Sequence, residues 1–457
     1  MWIAIDQEGG SVDRLPPEAT HFPSAMAVAA TGDLDWARQM AAITALELQA
    51  LGINFNFAPV VDVNSNPANP IIGIRAYGSV PQQVSQWGEV VFKTYEQAGI
   101  LTTLKHFPGH GDTVVDSHLG LPRVDRSLST LEAVDLFPFQ QLIQRGAPAI
   151  MTAHVLVPAL DPDCPATLSS RILQDLLRQK WGFQGLIVTD SLTMGALDQT
   201  WHSAEAALLA FEAGADVLLF GADAGHSARE PQLAYDLLLG AVQQGRISRE
   251  RLDASVGRIL QQKARSGLWH PAPLPPLKQI GKSSHQAVAQ QIAEASITLV
   301  KDEHQLLPVA DSDKILVIWP QSRGDLGSAC RMVFAKVVCQ PYSFQLDQEA
   351  LDQIQNLASQ ASLILVGIYE SYRYPAQIQL LQSLLDYKLV VIAMGSPYDL
   401  VLCPHLPCYL VTYGDGPASL KAAVEILAGK GCFQGRLPID LGTDFLAGHC
   451  INPQSCP

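Results

Sequence analysis

Six short apolar runs recur through the first half of this 457-residue chain, and five of them close on an acidic or basic residue. They are Ile3 to Asp6, Phe55 to Asp62, Leu101 to Lys105, Ala149 to His154, Leu186 to Asp190 and Asp216 to Phe220. Unbroken apolar runs of this length predict parallel strands buried on both faces. Helical stretches lie between them, at Leu34 to Leu51, Val80 to Ala98 and Ser203 to Ala213, with apolar residues three and four apart. Strand and helix in alternation predict an α/β fold. Asp6, Asp62, Lys105 with His106, His154 and Asp190 stand at or just past strand C-terminal ends, where a (β/α)8 barrel assembles its active site. An open doubly wound sheet is the rival, but no glycine-rich phosphate fingerprint follows an early strand. The expectation is therefore a barrel. At roughly 30 residues per βα unit, six strands leave it about two units short.

Beyond the helical stretch Arg249 to Lys263, the segment Pro271-Ala-Pro-Leu-Pro-Pro276 carries four prolines in six residues, which forbids helix and marks a boundary. Apolar strands at Ile315 to Trp319, Leu363 to Ile368, Leu389 to Met394 and Tyr409 to Thr412 predict a second α/β body. The expected domains are a catalytic barrel over 1–270, a linker over 271–284 and a smaller α/β sandwich over 285–457.

Charge narrows the function classes. With 30 Lys and Arg against 44 Asp and Glu the net charge is −14, so broad attraction to nucleic acid or to an anionic membrane is not expected. No apolar run reaches the roughly 18 to 20 residues of a spanning helix, and no basic region followed by an apolar core opens the chain. Eight scattered cysteines without a CxxC pair predict free thiols in a reducing cytoplasm, with a disulfide left open for the tail, where five of the eight lie beyond residue 400.

The densest chemistry lies in Lys105-His-Phe-Pro-Gly-His-Gly-Asp-Thr-Val-Val-Asp-Ser-His118. Three readings apply to it: a polar loop with incidental histidines, a metal site built from His106, His110, Asp112, Asp116 and His118, or an acid/base pair. In the third, Asp116 accepts a hydrogen bond from one nitrogen of His118 and leaves the other free to move a proton near neutrality. Asp190 is either a helix N-cap or a carboxylate nucleophile aimed at an anomeric carbon. In the nucleophile reading a histidine replaces the second carboxyl of a retaining glycosidase. Asp6, Arg14, Arg75 and the pair Lys105 and His106 are candidates to bind sugar hydroxyls or an acetamido carbonyl.

The blocks AIDQEGGSVDRL, NFNFAPVVDVN, IRAYG, TLKHFPGHGDTVVDSHLGLP, MTAHVLVPALD, PATLS, GLIVTDSLTM and EAGADVLLF resemble glycoside hydrolase family 3, in its β-N-acetylhexosaminidase branch. The resemblance implies that Asp190 is the nucleophile and His118 the general acid/base assisted by Asp116. It also implies that Asp6, Arg14, Arg75, Lys105 and His106 bind a terminal N-acetylglucosamine. Neither metal nor other cofactor is implied, and the partner is a carbohydrate such as a peptidoglycan fragment. Similar proteins carry two further βα units ahead of the AIDQEGG strand. The expected fold is thus a (β/α)8-type barrel lacking its first two units, with an apolar edge exposed beside the strand bearing Asp6. Alternative activities with the same residues are β-glucosidase or β-xylosidase, phosphorolysis, or an inactive remnant that binds glycan.

Overall fold

The computed structural model describes residues 1–221, 228–270, 272–310 and 313–451. Two compact units make up the chain: one comprises Met1–Glu8, Ala41–Ile72 and Val80–Ile280, the other Gly9–Met40, Gly73–Ser79 and Gly281–Pro457. The domain bounds read from the sequence follow chain order, whereas the segments 9–40 and 73–79 group with the second half. Pro271 of the expected linker lies outside the described residues; residues 272–276 hold no regular secondary structure, and a helix begins at Ser283.

The first unit is built on β1 (Ala4–Ile5), β2 (Phe55–Asn56), β3 (Leu101–Thr102), β4 (Leu104–Phe107), β5 (Ala149–Thr152), β6 (Leu186–Ser191) and β7 (Val217–Leu219). Parallel ladders give the orders β1-β2-β3 and β4-β5-β6-β7. Strands β3 and β4 are one run of chain broken at Thr103. The Val60–Lys105 bridge and the Val61 N–H to Lys105 O bond at 2.8 Å carry the pairing past the break. Six consecutive parallel runs therefore lie side by side, at the six places the apolar pattern marks. Phe55, Phe57, Leu101, Ala149, Met151, Leu186 and Val188 form one buried cluster across them. The helix Pro81–Gln97 begins on proline, whose missing N–H costs a helix start nothing, and buries Val84, Trp87, Gly88, Val91, Phe92 and Tyr95 at helical spacing. At the start of the order β1 pairs only with β2 among the described residues, and Ile3 is 45% exposed.

Asp216, just ahead of β7, is fully buried and works as an anchor. Its carboxylate accepts from Arg178 Nη2 at 2.6 Å, Arg258 Nη2 at 2.9 Å, Ser255 Oγ at 2.8 Å and the Ile187 N–H at 3.0 Å. It precedes its strand and so stands at the end of the sheet opposite Asp190, where a barrel keeps stability and not chemistry. Asp216→Ala strands buried guanidinium groups, and a loss of about 3–5 kcal/mol is expected in urea unfolding.

The second unit holds a six-stranded sheet in the order β10-β9-β11-β12-β13-β8. Its strands are β8 (Thr298–Asp302), β9 (Ile315–Pro320), β10 (Val337–Tyr342), β11 (Leu363–Ile368), β12 (Leu389–Ala393) and β13 (Cys408–Val411), all parallel except β8. Alternate residues of the buried strands feed two clusters: Leu316, Ile318, Ile364, Val366 and Val391 on one side, Ile315, Val317, Leu363, Leu365 and Ile392 on the other. This is the expected α/β sandwich. Cys432 is disulfide-bonded, a departure from the reduced-thiol reading, while Cys164, Cys330, Cys339, Cys403, Cys408 and Cys450 are free. Cys456 and the rest of the tail from residue 452 lie outside the described residues. Among the described residues no helix is long and apolar enough to cross a membrane.

Asp399 is buried in this unit; its Oδ1 accepts the Ser371 N–H at 2.6 Å, and its Oδ2 has no partner among the described residues. Burial pushes its carboxyl from the ordinary 3.8 up to about 7. The folded chain therefore keeps a proton that the unfolded chain releases, and stability falls as pH rises across that window. Asp399→Asn is expected to melt like the wild type near pH 4 and to be the more stable at pH 8, by roughly 4 kcal/mol at most.

Candidate active site

Parallel strands present their C-terminal ends together, so residues far apart in sequence meet there. Asp190 follows four buried residues of β6, is itself half-buried, and its Oδ1 accepts the Ser191 N–H at 2.7 Å. Burial raises its pKa, but the charges of His106 and His154, the Ser191 N–H and Lys105 outweigh that and hold the carboxyl below its ordinary 3.8. A carboxylate with this surrounding stays ionised at neutral pH, which is the state a nucleophile needs.

Lys105 ends the third run with its side chain only 2% exposed, clamped between Asp6 Oδ1 at 2.7 Å and Glu8 Oε1 at 2.6 Å. Asp6 remains 45% exposed and is available to a hydroxyl. His106 lies beside it, with its Nδ1 2.7 Å from Asp62 Oδ2, which also accepts the His106 N–H at 3.1 Å. Asp62 is fully buried; burial pushes its pKa up, and His106 and His110 pull it below the ordinary value. His154 closes the same floor: its Nε2 faces the Ser191 carbonyl at 2.8 Å and so carries the proton, and Nδ1 lies 2.8 Å from Thr167 Oγ1. Burial keeps His154 below its ordinary pKa, although Asp190 and the Ser191 carbonyl act the other way and the charges of His106 and His118 reach it as well.

Asp116 and His118 meet across the Asp-Ser-His turn. Asp116 Oδ1 accepts the His118 N–H at 2.8 Å and stands 2.9 Å from His118 Nδ1, and the imidazole is 58% exposed. The same carboxylate oxygen thus fixes the backbone and the ring. The Asp116 carbonyl accepts the Leu119 and Gly120 N–H groups, which makes the turn. Gly195 passes so close that a Cβ there would lie 2.4 Å from the His118 carbonyl oxygen, so only glycine fits beneath the loop.

The remaining candidates sort plainly. The structure brings Asp6, Lys105, His106 and Asp190 together and places His118 within electrostatic reach of His154. Arg14 and Arg75 fall in the segments that belong to the other unit, Arg14 exposed and Arg75 half-buried in the short turn Gly73–Arg75. Among the described residues no three His, Cys, Asp or Glu side chains are arranged to hold a metal ion. The loop residues offered as ligands have other duties: Asp112 pairs with Arg126 at 2.8 Å, and His110 is buried against Asp62 and Thr113. Sequence reasoning missed Glu8, whose only signal is its place two residues past Asp6, and it left Asp62 and His154 without roles.

A profile described as the glycosyl hydrolase family 3 N terminal domain matches residues 1–262. The chain belongs to that family. Among family 3 relatives, one named beta-hexosaminidase A from Pseudoalteromonas piscicida is 38% identical over 335 residues, which is 69% of this chain and 56% of the relative. A second, named beta-N-acetylglucosaminidase/beta-glucosidase, from Cellulomonas fimi, is 30% identical across 96% of this chain and 83% of its own length. Among solved structures, a family 3 beta-N-acetylglucosaminidase from Paenibacillus sp. str. FPU-7 superposes with a TM-score of 0.89 at 37% identity, covering 96% of this chain and 86% of that one. The chain spans little more than half the length of the first of these relatives.

Proposed function

We propose that this chain is a retaining exo-β-N-acetylglucosaminidase that removes terminal N-acetylglucosamine from glycans such as peptidoglycan fragments. The observation that carries the reading is the Asp116–His118 contact, in which Asp116 Oδ1 stands 2.9 Å from His118 Nδ1, in the same unit as the strand-end carboxylate Asp190. In the first displacement an Asp190 oxygen attacks the anomeric carbon while His118 gives its Nε2 proton to the departing oxygen, producing a glycosyl ester. In the second, His118 takes a proton from water, whose oxygen attacks the same carbon and releases Asp190. Asp116 supports the imidazolium that stands ready before the first step and is restored by the second. Asp6, Lys105 and His106 bind the sugar, Lys105 steering a hydroxyl between itself and the half-exposed Asp6. Six free thiols favour a reducing cytoplasm as the site of action, with Cys432 as the counter-indication.

Phosphorolysis is the second reading, because a histidine acid/base does not repel phosphate as a carboxylate would. Initial rates with and without phosphate, together with a search for the sugar 1-phosphate, separate the two. Hydrolysis predicts an unchanged rate and free N-acetylglucosamine as the product. Full activity in Asp190→Ala would remove the assignment under either reading.

A further inference from the structure

A buried polar chain runs from the floor of the site to the residue between the two members of the acid/base pair. Asp62 Oδ1 accepts the His110 N–H at 2.7 Å, while its other oxygen holds His106. His110 and Ser117 are 2% and 3% exposed, with His110 Nε2 3.3 Å from Ser117 Oγ and His110 Nδ1 2.7 Å from Thr113 Oγ1. Thr113 Oγ1 also lies 3.1 Å from the His110 carbonyl, which accepts from Asn69 Nδ2 at 2.8 Å. Asn69 Nδ2 donates to the same hydroxyl at 3.2 Å, with its own Oδ1 taken by the Ile71 and Ile72 N–H groups. Both His110 ring nitrogens thus face hydroxyls, Nδ1 that of Thr113 and Nε2 that of Ser117. Ser117 is held from the other side as well, since its carbonyl accepts the Ala196 N–H at 2.9 Å.

We propose that His110 and Ser117 are positioning residues: the Ser117 hydroxyl, bound to the His110 ring that Asp62 secures, pins the middle of the Asp116-Ser117-His118 turn and so aims His118 at the leaving group. Ser117 points into the protein, and its two neighbours stay more exposed on the other side, Asp116 half-buried and His118 exposed. This inference rests on the glycosidase reading above and adds to it the element that orients the acid. A group that only stabilised the fold would lower turnover of every substrate alike; one that aims the acid matters in proportion to how much the leaving group needs a proton.

The test compares kcat/KM for phenyl and 2,4-dinitrophenyl β-N-acetylglucosaminides in the wild type, Ser117→Ala, Ser117→Thr and His110→Gln. Ser117→Ala is expected to lose roughly tenfold or more on the phenyl glycoside and to stay within about twofold on the dinitrophenyl one. Ser117→Thr, which keeps the hydroxyl, and His110→Gln, which keeps a hydrogen-bonding amide near the Nε2 position, should recover most of the loss. Equal losses on both substrates, or none on either, would overturn the proposal. Should Ser117→Ala fail to fold, the same ratio in His110→Gln against His110→Leu decides. A wild type that turns over neither glycoside removes the glycosidase reading, and the proposal with it; an active wild type with an unaltered ratio in the variants removes the positioning role alone.

Discussion

Replacing Asp190 by asparagine is expected to lower kcat/KM for 4-nitrophenyl β-N-acetylglucosaminide by roughly 10⁴-fold or more, while thermal unfolding stays close to that of the wild type. The side chains are near isosteric, and the Ser191 N–H can still be met by the amide oxygen, so the local fold has little reason to change. What disappears is the nucleophile. Burial alone would favour the neutral acid; the charges of His106, His154 and Lys105 keep the group ionised instead. The sign follows directly: protonation of Asp190 needs a pH below the ordinary carboxylate value of 3.8, so it does not set the acid limb of the rate profile above that pH. Removing one of the cationic neighbours should move that limb upward, which a profile of Lys105→Met reads.

His118→Ala should fall by about 10²–10⁴-fold on a disaccharide, whose leaving sugar must be protonated, and far less in the first turnover of a nitrophenyl glycoside. Nitrophenolate departs without help, so the glycosyl ester on Asp190 still forms. Its hydrolysis then lacks the base that activates water. A burst of nitrophenol stoichiometric with enzyme, followed by a slow steady rate, is the expected trace, and stopped-flow absorbance measures it. Asp116→Asn should show the same pattern more weakly, because the ring loses its charge partner at 2.9 Å but not its place on the loop.

The parts of this fold that were legible in the sequence are those whose burial is complete. β5, β6 and β11 are apolar along nearly their whole length because both their faces are buried, and such runs stand out without any alignment. β8 and β10 were not read. β10 lies at the sheet edge, is half-buried along most of its length and carries Pro341; β8 is an antiparallel edge strand ending on Lys301 and Asp302. Catalytic candidates were visible because the strand-end address is written in the order of residues: an apolar run, then Asp, Lys or His. Pair partners were not visible. Glu8 is recognised as the second carboxylate on Lys105 only when β1 and the third run lie in one sheet with β2 between them, and Asp216 is seen as an anchor only once Arg178 and Arg258 meet on it. His110 shows the same limit in another way: as a ligand-type residue in a histidine-rich loop it suggested metal, whereas the structure spends both ring nitrogens on hydroxyls.

The central claim is that this chain, as it stands, uses Asp190 and the Asp116–His118 pair to cleave β-N-acetylglucosaminides. The direct measurement is nitrophenol release by the purified 457-residue chain from 4-nitrophenyl β-N-acetylglucosaminide and from the matching β-glucoside, side by side, with circular dichroism on the same sample. The account predicts a folded chain, clear turnover of the first substrate and much slower turnover of the second. A folded chain that turns over neither, or that prefers the glucoside, would contradict it.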